Sequence, residues 1–99
     1  MAQFKRQAQT ATTSGITVYT TPAGKTGLAI GLILANKANE TATADVEIDG
    51  TYIIRNAPIP VGSTLGVLDG KLAIGENEVV RVYASTDNTI DCTLTVLEL

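Results

Sequence analysis

The sequence predicts an all-β fold, namely a single-domain antiparallel β-sandwich, jelly-roll-like, with about eight strands. Several short runs alternate apolar and polar residues and are rich in β-branched side chains, which is typical of half-buried strands. Turn-forming residues separate these runs at regular spacing, and no segment has a convincing helical period. With 99 residues, of which 44 % are hydrophobic, the chain is long enough to build one core without a metal or a disulfide.

The alternation is clearest around residue 45 and in the last quarter of the chain. Successive side chains of a strand point to opposite faces of a sheet, so alternate positions share one face. The predicted apolar faces carry Ala44, Val46 and Ile48 in residues 42–48, Val80, Val82 and Ala84 in residues 78–84, and Ile90, Cys92, Leu94 and Val96 in residues 89–99. Because aromatic residues make up only 4 % of the chain, we expect a core of aliphatic side chains.

Residues 27–36 (GLAIGLILAN) are apolar at nearly every position. Such a run fits either a central strand that is covered on both faces or a short buried helix. The glycines inside the run and the strand patterns around it favour the strand. We therefore expect residues 27–36 in the middle of a sheet, with both faces buried.

Two dipeptides predict tight hairpins, because each joins strand-like sequence with only two residues between. These are Asp49 with Gly50 and Asp69 with Gly70. Residues 1–14, rich in Gln, Thr and Ala, are predicted to form an N-terminal arm or an edge strand ahead of a sandwich domain over residues 15–99.

Residues 24–26 (GKT) match the last letters of the nucleotide-binding P-loop signature. That signature needs a glycine five residues earlier, where this chain has Tyr19, and it needs a helix afterwards to hold the phosphate. A strand pattern follows instead. We therefore expect a type I turn with Thr21 first, Pro22 second and Gly24 last.

The stretch DVEIDG places Asp45, Glu47 and Asp49 on one face of a strand and resembles the start of a calcium-binding EF-hand loop. An EF-hand loop ends in a glutamate and lies between helices, whereas this stretch reaches Asn56 at the closing position and lies between strands. The favoured interpretation is a solvated acidic stripe beside a basic residue such as Arg55 on the neighbouring strand. Weak calcium binding stays as the alternative.

Composition argues against several classes of function. The chain has no histidine, and its one cysteine is placed on an apolar strand face, so we expect no catalytic residue, no metal site and no cofactor. The net charge of −3 argues against nucleic-acid binding. The longest apolar run, residues 28–35, is too short to span a membrane, and the N-terminus lacks a signal-peptide pattern. We expect a non-enzymatic protein of a reducing cytoplasm.

Two segments are candidate protein contacts. Residues 57–61 are apolar where a loop would ordinarily be polar, and two prolines stiffen them. They either close one end of the core or form a preorganised patch for a neighbouring subunit. The N-terminal segment is also a candidate, because a polar segment can become ordered along a neighbour. The candidate interface residues are Phe4, Lys5, Arg6, Pro58, Ile59, Pro60 and Val61.

Over residues 16–99 the sequence resembles small virion proteins of tailed bacteriophages. The resemblance lies in an ordered set of motifs, namely VYTTPAG, an IGL strand ending in Asn, NAPIPVG, LDGK and a final LEL. The turn GEN at residues 75–77 departs from the GD or GED of that pattern. The resemblance implies a structural protein of the virion. We favour one that decorates or cements the capsid, in contact with the major capsid protein and present in many copies or as a homo-oligomer, because a small compact sandwich without fibre repeats suits that task. Its expected location is the virion, assembled in the bacterial host cytoplasm.

Alternatives remain open at this stage. The same resemblance fits a neck or tail accessory protein that binds neck or tail subunits. A carbohydrate-binding module of the virion would need aromatic platforms, for which the chain offers Tyr19, Tyr52 and Tyr83.

Overall fold

The computed structural model describes residues 2–68 and 70–99, which form nine β-strands in two antiparallel sheets. The strands are β1 (Gln3–Thr10), β2 (Ile16–Thr20), β3 (Gly27–Asn36), β4 (Ala42–Ile48), β5 (Thr51–Ile59), β6 (Thr64–Gly66), β7 (Leu72–Ile74), β8 (Val79–Ala84) and β9 (Ile90–Glu98). Sheet A has the order β1-β9-β3-β6, with β7 also paired to β3, and sheet B has the order β2-β8-β4-β5. The predicted antiparallel sandwich is confirmed.

The strand order is that of a jelly roll. In this fold the first and second halves of the chain pair as one long hairpin, and the hairpin folds over so that each half contributes strands to both sheets. The first strand pairs with the last, β1 with β9, and the second strand pairs with β8. Further in, β3 pairs with β6 and β7, and β4 pairs with β5 at the closed end of the hairpin. Consecutive strands therefore alternate between the sheets, except that β4 and β5 share sheet B and β6 and β7 share sheet A, and the core fills the space between the sheets.

The core consists of the aliphatic faces that the alternation predicts. In β9 the inward residues Ile90, Cys92, Leu94 and Val96 are at most 1 % exposed. The inward residues of β8 are buried in the same way, as are Ala44 and Val46 of β4, while Ile48 is half-buried at the end of that strand. Because each buried aliphatic side chain removes apolar surface from water, these faces supply most of the stabilising free energy.

Residues 27–36 form the predicted central strand, but the expectation that both of its faces are buried is wrong. Ile30 is 39 % exposed and Ile33 is 46 % exposed. The pairing of β3 with β9 shifts register between Ala29 and Gly31, which marks a β-bulge at Ile30. Beyond this bulge the even residues face the core, and Leu34 is fully buried.

The hairpin predicted at Asp49 and Gly50 is confirmed, since Ile48 of β4 lies opposite Thr51 of β5. Both turn residues have positive φ, 50° and 90°, as a type I′ turn requires. The second predicted hairpin includes Asp69, which lies outside the described residues. The flanking strands β6 and β7 both pair with β3 rather than with each other.

The turn before β3 exists but is one residue further along than predicted. The backbone N–H of Lys25 donates to the carbonyl of Pro22 at 3.2 Å, so the turn spans residues 22–25. Gly24, its third residue, has a φ of 76°. A positive φ at that position is typical of a type II turn rather than type I, and β3 follows directly.

The bulge in β3 leads to a test of which side chains form the core. Leu34→Ala should lower the free energy of unfolding by about 2–5 kcal/mol, because it leaves a cavity between the sheets. The adjacent change Ile33→Ala should cost less than about 1 kcal/mol, since this side chain is on the outer surface. Urea unfolding followed by circular dichroism measures both. Equal losses would contradict the register of β3 beyond the bulge.

Candidate functional site

The outer face of sheet A, which points away from the core, carries a row of apolar side chains across four strands. Phe4 of β1 lies opposite Leu97 of β9, Leu97 lies opposite Leu28 of β3, and Leu28 lies opposite Ala73 of β7. Phe4 is 68 % exposed, while Leu28 and Leu97 are half-buried. Because the solvated face of an antiparallel sheet is ordinarily polar, this row indicates a contact surface.

Further along the same face the exposed residues of the β3 bulge extend the apolar surface. Ile33 lies between Thr93 of β9 and Gly66 of β6, and Ile30 projects from the bulge itself. Most other positions on this face are small or uncharged, including Ala8, Gly31, Ala35, Thr64 and Thr95. We call the whole of this surface, from Phe4 to Gly66, outer face A.

Charge is scarce on outer face A. The carboxylate of Asp91 accepts a hydrogen bond from the hydroxyl of Thr10 at 2.7 Å and lies 3.0 Å from the ammonium of Lys37. The hydrogen bond from Thr10 and then the contact with Lys37 hold the pKa of Asp91 below its ordinary value. Arg6 is the exposed cation at the β1 edge. A partner docking on this face would therefore desolvate few charged groups, which keeps the cost of association low.

The outer face of sheet B has the opposite character, because it carries charged residues, which bond to a tyrosine hydroxyl and to backbone groups. Arg81 lies opposite Glu47, and Tyr83 lies opposite Asp45. The hydroxyl of Tyr83 donates to Glu47 at 3.1 Å, and the carboxylate of Asp45 accepts the backbone N–H of Asn56 at 2.6 Å. Burial, and then the contact with Glu47, raise the pKa of Tyr83. This face forms internal contacts that hold β4, β5 and β8 together.

The acidic stripe of β4 therefore lies in a different environment from the one predicted. The basic residue on the strand opposite Glu47 is Arg81, whereas Arg55 stacks over the ring of Tyr52 at 5.0 Å. Asp45 is engaged by the backbone at Asn56. Over residues 2–68 and 70–99, no group of three or more acidic, cysteine or histidine side chains is arranged to hold a metal ion.

The inner side of β1 is polar and is held by one buried carboxylate. Glu98 is 2 % exposed, and its two oxygens are 3.0 Å from the ammonium of Lys5 and 2.5 Å from the hydroxyl of Tyr19, which donates to it. Burial, reinforced by Glu98, raises the pKa of Tyr19 to about 12. The hydrogen bond from Tyr19, followed by the charges of Lys5 and Lys25, lowers the pKa of Glu98. This cluster joins β1, β2 and β9.

The predicted contact residues 58–61 are divided between the core and the surface. Ile59 is 1 % exposed, so its side chain packs in the core, and its carbonyl accepts the side-chain amide of Asn36 at 2.8 Å. Pro58 and Pro60 are exposed, and Val61 is 51 % exposed. The side chain of Ile59 thus closes the core, while its neighbours face solvent.

The structure separates the two predicted contact segments. Phe4, Lys5 and Arg6 are on β1, at one edge of sheet A, and Lys5 points inward to Glu98. Residues 58–61 include the end of the edge strand β5 of sheet B and the turn after it, on the far side of the sandwich from β1. Outer face A, which sequence reasoning did not assign, lies next to the β1 segment.

The remaining candidate groups are placed as follows. Cys92 is fully buried, and burial raises the pKa of its thiol to about 12, so the sulfur is inert at neutral pH. Tyr19 is 5 % exposed and offers no platform for a sugar, whereas Tyr52 is 41 % exposed beneath Arg55. Over the described ranges, no helix is long and apolar enough to cross a membrane.

Comparisons with known proteins show a likeness in fold. No protein-family model and no curated protein matches the sequence. The fold is similar to a chain in the acid-stable capsid structure of Helicobacter pylori bacteriophage KHP30, with a TM-score of 0.61. The match covers 98 % of this chain and 86 % of the phage chain, at 12 % sequence identity. At that identity the likeness concerns the fold.

The cluster around Glu98 predicts a pH dependence of stability. An unfolded tyrosine ionises at its ordinary value of 10, whereas Tyr19 in the folded chain ionises only near 12. The stabilisation that Tyr19 gives the folded state is therefore complete below pH 10, and it is lost as the pH rises through 12. The free energy of unfolding, measured in urea from pH 8 to 12, should fall more steeply for the wild type than for Tyr19→Phe.

Tyr52→Phe is the control, because it removes an exposed hydroxyl that is remote from Glu98. This variant should keep the alkaline loss of stability of the wild type. If the wild type and Tyr19→Phe gave parallel curves, the assigned contact between Tyr19 and Glu98 would be wrong.

Proposed function

We propose that this chain is a non-enzymatic structural protein of a tailed-phage virion, where it decorates or cements the capsid through repeated contacts with the major capsid protein. The observation that carries the proposal is the fold likeness to a chain from a phage capsid structure, which spans 98 % of this chain. The ordered motifs of residues 16–99 support the same role independently of the fold.

The surface of the sandwich supports a role in adhesion. Outer face A is flat and nearly uncharged and exposes Phe4, Ile30 and Ile33, a combination that favours contact with another protein. The exposed residues Pro60 and Val61 add a second, separate contact at the far edge. A modest contact repeated over a symmetric lattice gives a large summed stabilisation of the particle.

A neck or tail position is the first alternative, since the same flat face can bind a ring of subunits. The second alternative is a carbohydrate-binding module. One observation favours keeping it: Tyr52 is exposed on sheet B, with Arg55 over its ring. A sugar would therefore bind on the opposite side of the molecule from the contact surface that we propose.

The two sides of the sandwich allow a direct test. Ile33→Asp places a carboxylate in the middle of outer face A at a position that is 46 % exposed, so the fold is expected to persist. Burying that charge in a contact is costly. We expect at least about a tenfold loss of affinity for phage particles assembled without this protein, measured by co-sedimentation and by its occupancy in images of the particles.

Tyr52→Ser is the matched control, because Tyr52 is similarly exposed, at 41 %, on the other sheet. It should attach like the wild type. Unimpaired attachment of Ile33→Asp would contradict the proposed contact surface. Binding to a glycan array that is lost with Tyr52→Ser while attachment to particles is kept would favour the carbohydrate module, and images with the protein only at the neck or tail would favour the accessory role.

A further inference from the structure

The four edges of the two sheets differ in whether another strand can join them. In sheet A the β6 and β7 edge consists of two three-residue segments. In sheet B the edge strand β5 has two register shifts against β4, a positive φ at Asn56 and a proline at position 58. Interruptions of this kind are how proteins protect sheet edges.

The remaining two edges lie on the same side of the sandwich. The edge strand β2 is five residues long, shifts register between Thr17 and Tyr19, and lies beside β1, from which Gln9 donates to the carbonyl of Thr17 at 3.4 Å. By contrast, β1 pairs with β9 over eight consecutive residues without a shift. Its free side is thus a long, regular edge.

The backbone groups on that free side follow from the hydrogen-bond pattern. The N–H of Ala11 donates to the carbonyl of Ile90 at 2.8 Å, so the odd residues of β1 bond to β9. On the other side of β9, the backbone groups of Thr26 and Leu99 exchange two hydrogen bonds, at 3.1 and 2.9 Å. The odd positions of the β9 segment therefore bond towards β3, which leaves its even positions to bond to the odd residues of β1. The even residues therefore direct their N–H and C=O groups away from β9, and these residues are Phe4, Arg6, Ala8 and Thr10.

We infer that the free edge of β1 binds the β1 strand of a second copy of this chain, antiparallel, about a two-fold axis at Gln7. In this register Phe4 lies opposite Thr10 of the other copy, and Arg6 lies opposite Ala8. All four outward-directed residues of each copy pair, which gives about eight backbone hydrogen bonds. The inference goes beyond the proposed virion role, because it concerns the isolated chain.

Charge and pairing select this register over its neighbours. A shift that centres the axis on Arg6 would place the two arginines directly opposite each other, which is unfavourable, and would leave Thr10 unmatched. A shift that centres it on Ala8 would leave Phe4 unmatched. With the axis at Gln7, the two Gln7 side chains meet, and each amide offers both a donor and an acceptor to the other.

The paired edge also covers the most exposed large apolar side chain of the described residues. Phe4, at 68 % exposed, would lie over Thr10 of the second copy and diagonally beside Ala8. The axis of such a pair is perpendicular to the sheet. Outer face A of both copies would therefore point in the same direction and form one continuous surface.

The first experiment measures the oligomeric state of the full chain by sedimentation equilibrium. The wild type should be a dimer. Ala8→Pro removes an N–H on the free edge but no bond to β9, and it should raise the dimer dissociation constant at least about tenfold. Ala8→Val keeps the N–H and should remain as dimeric as the wild type, with the circular dichroism spectrum confirming that both variants are folded.

The second experiment tests the register without relying on the proline variant. Across the axis, the two Gln7 Cα atoms would be about 4.5 Å apart, within the range of a disulfide. Gln7→Cys should therefore form a covalent dimer on oxidation. Gln9→Cys is the matched control, since its partner cysteine would lie about 14 Å away, and buried Cys92 does not interfere in either variant.

A monomeric or trimeric wild type would overturn the inference, because a two-fold strand pair closes at two copies. Equal cross-linking of the Gln7→Cys and Gln9→Cys variants, or none of either, would overturn the register. Neither result would bear on the proposed virion role, which the attachment of Ile33→Asp to particles tests separately.

Discussion

Along its whole length β9 hydrogen-bonds through its odd residues to β3 and through its even residues to β1, so its backbone groups are satisfied on both sides. This double pairing fixes the register of sheet A. A slip of one residue would move Cys92 and Leu94 to the surface and bring Asp91 and Thr93 into the core. The same register therefore determines both the buried core and the sparsely charged outer face A, and neither can change without the other.

The period of two was sufficient to predict which residues of β4, β8 and β9 face the core, because the extra residues of the register shifts lie in the partner strands β2, β3 and β5. The alternation along β4, β8 and β9 is therefore uninterrupted. It failed for β3, where the bulge at Ile30 changes the parity and where apolar residues occupy both faces. The missing information was which strand lies beside β3. Beside the exposed part of β3 the outward residues of β9 are Thr93 and Thr95, so the outer face of β3 is left open there.

Local chemistry predicted the positions of turns better than their types. Asp49 and Gly50 form the expected hairpin because both residue types readily adopt the positive φ that its turn requires. The turn at residues 22–25 depends on a distant group as well, since the carboxylate of Glu76 accepts the backbone N–H of Gly24. The cluster of Lys5, Tyr19 and Glu98 could not be predicted for the same reason. Its members come from three strands, and only the topology brings them together.

The same residues of β1 contribute to outer face A and to the free edge of the strand. Phe4, Arg6, Ala8 and Thr10 direct their side chains to the face and their backbone groups to the edge, because alternation in a strand couples the two. Pairing two copies at the edge therefore adds no strain to the face and doubles its width. Once one half of the doubled face is bound to a lattice, the other half is held close to the next site. The second half then binds as in an intramolecular reaction, so a dimer with two weak contacts can stay attached where a monomer with one contact would dissociate.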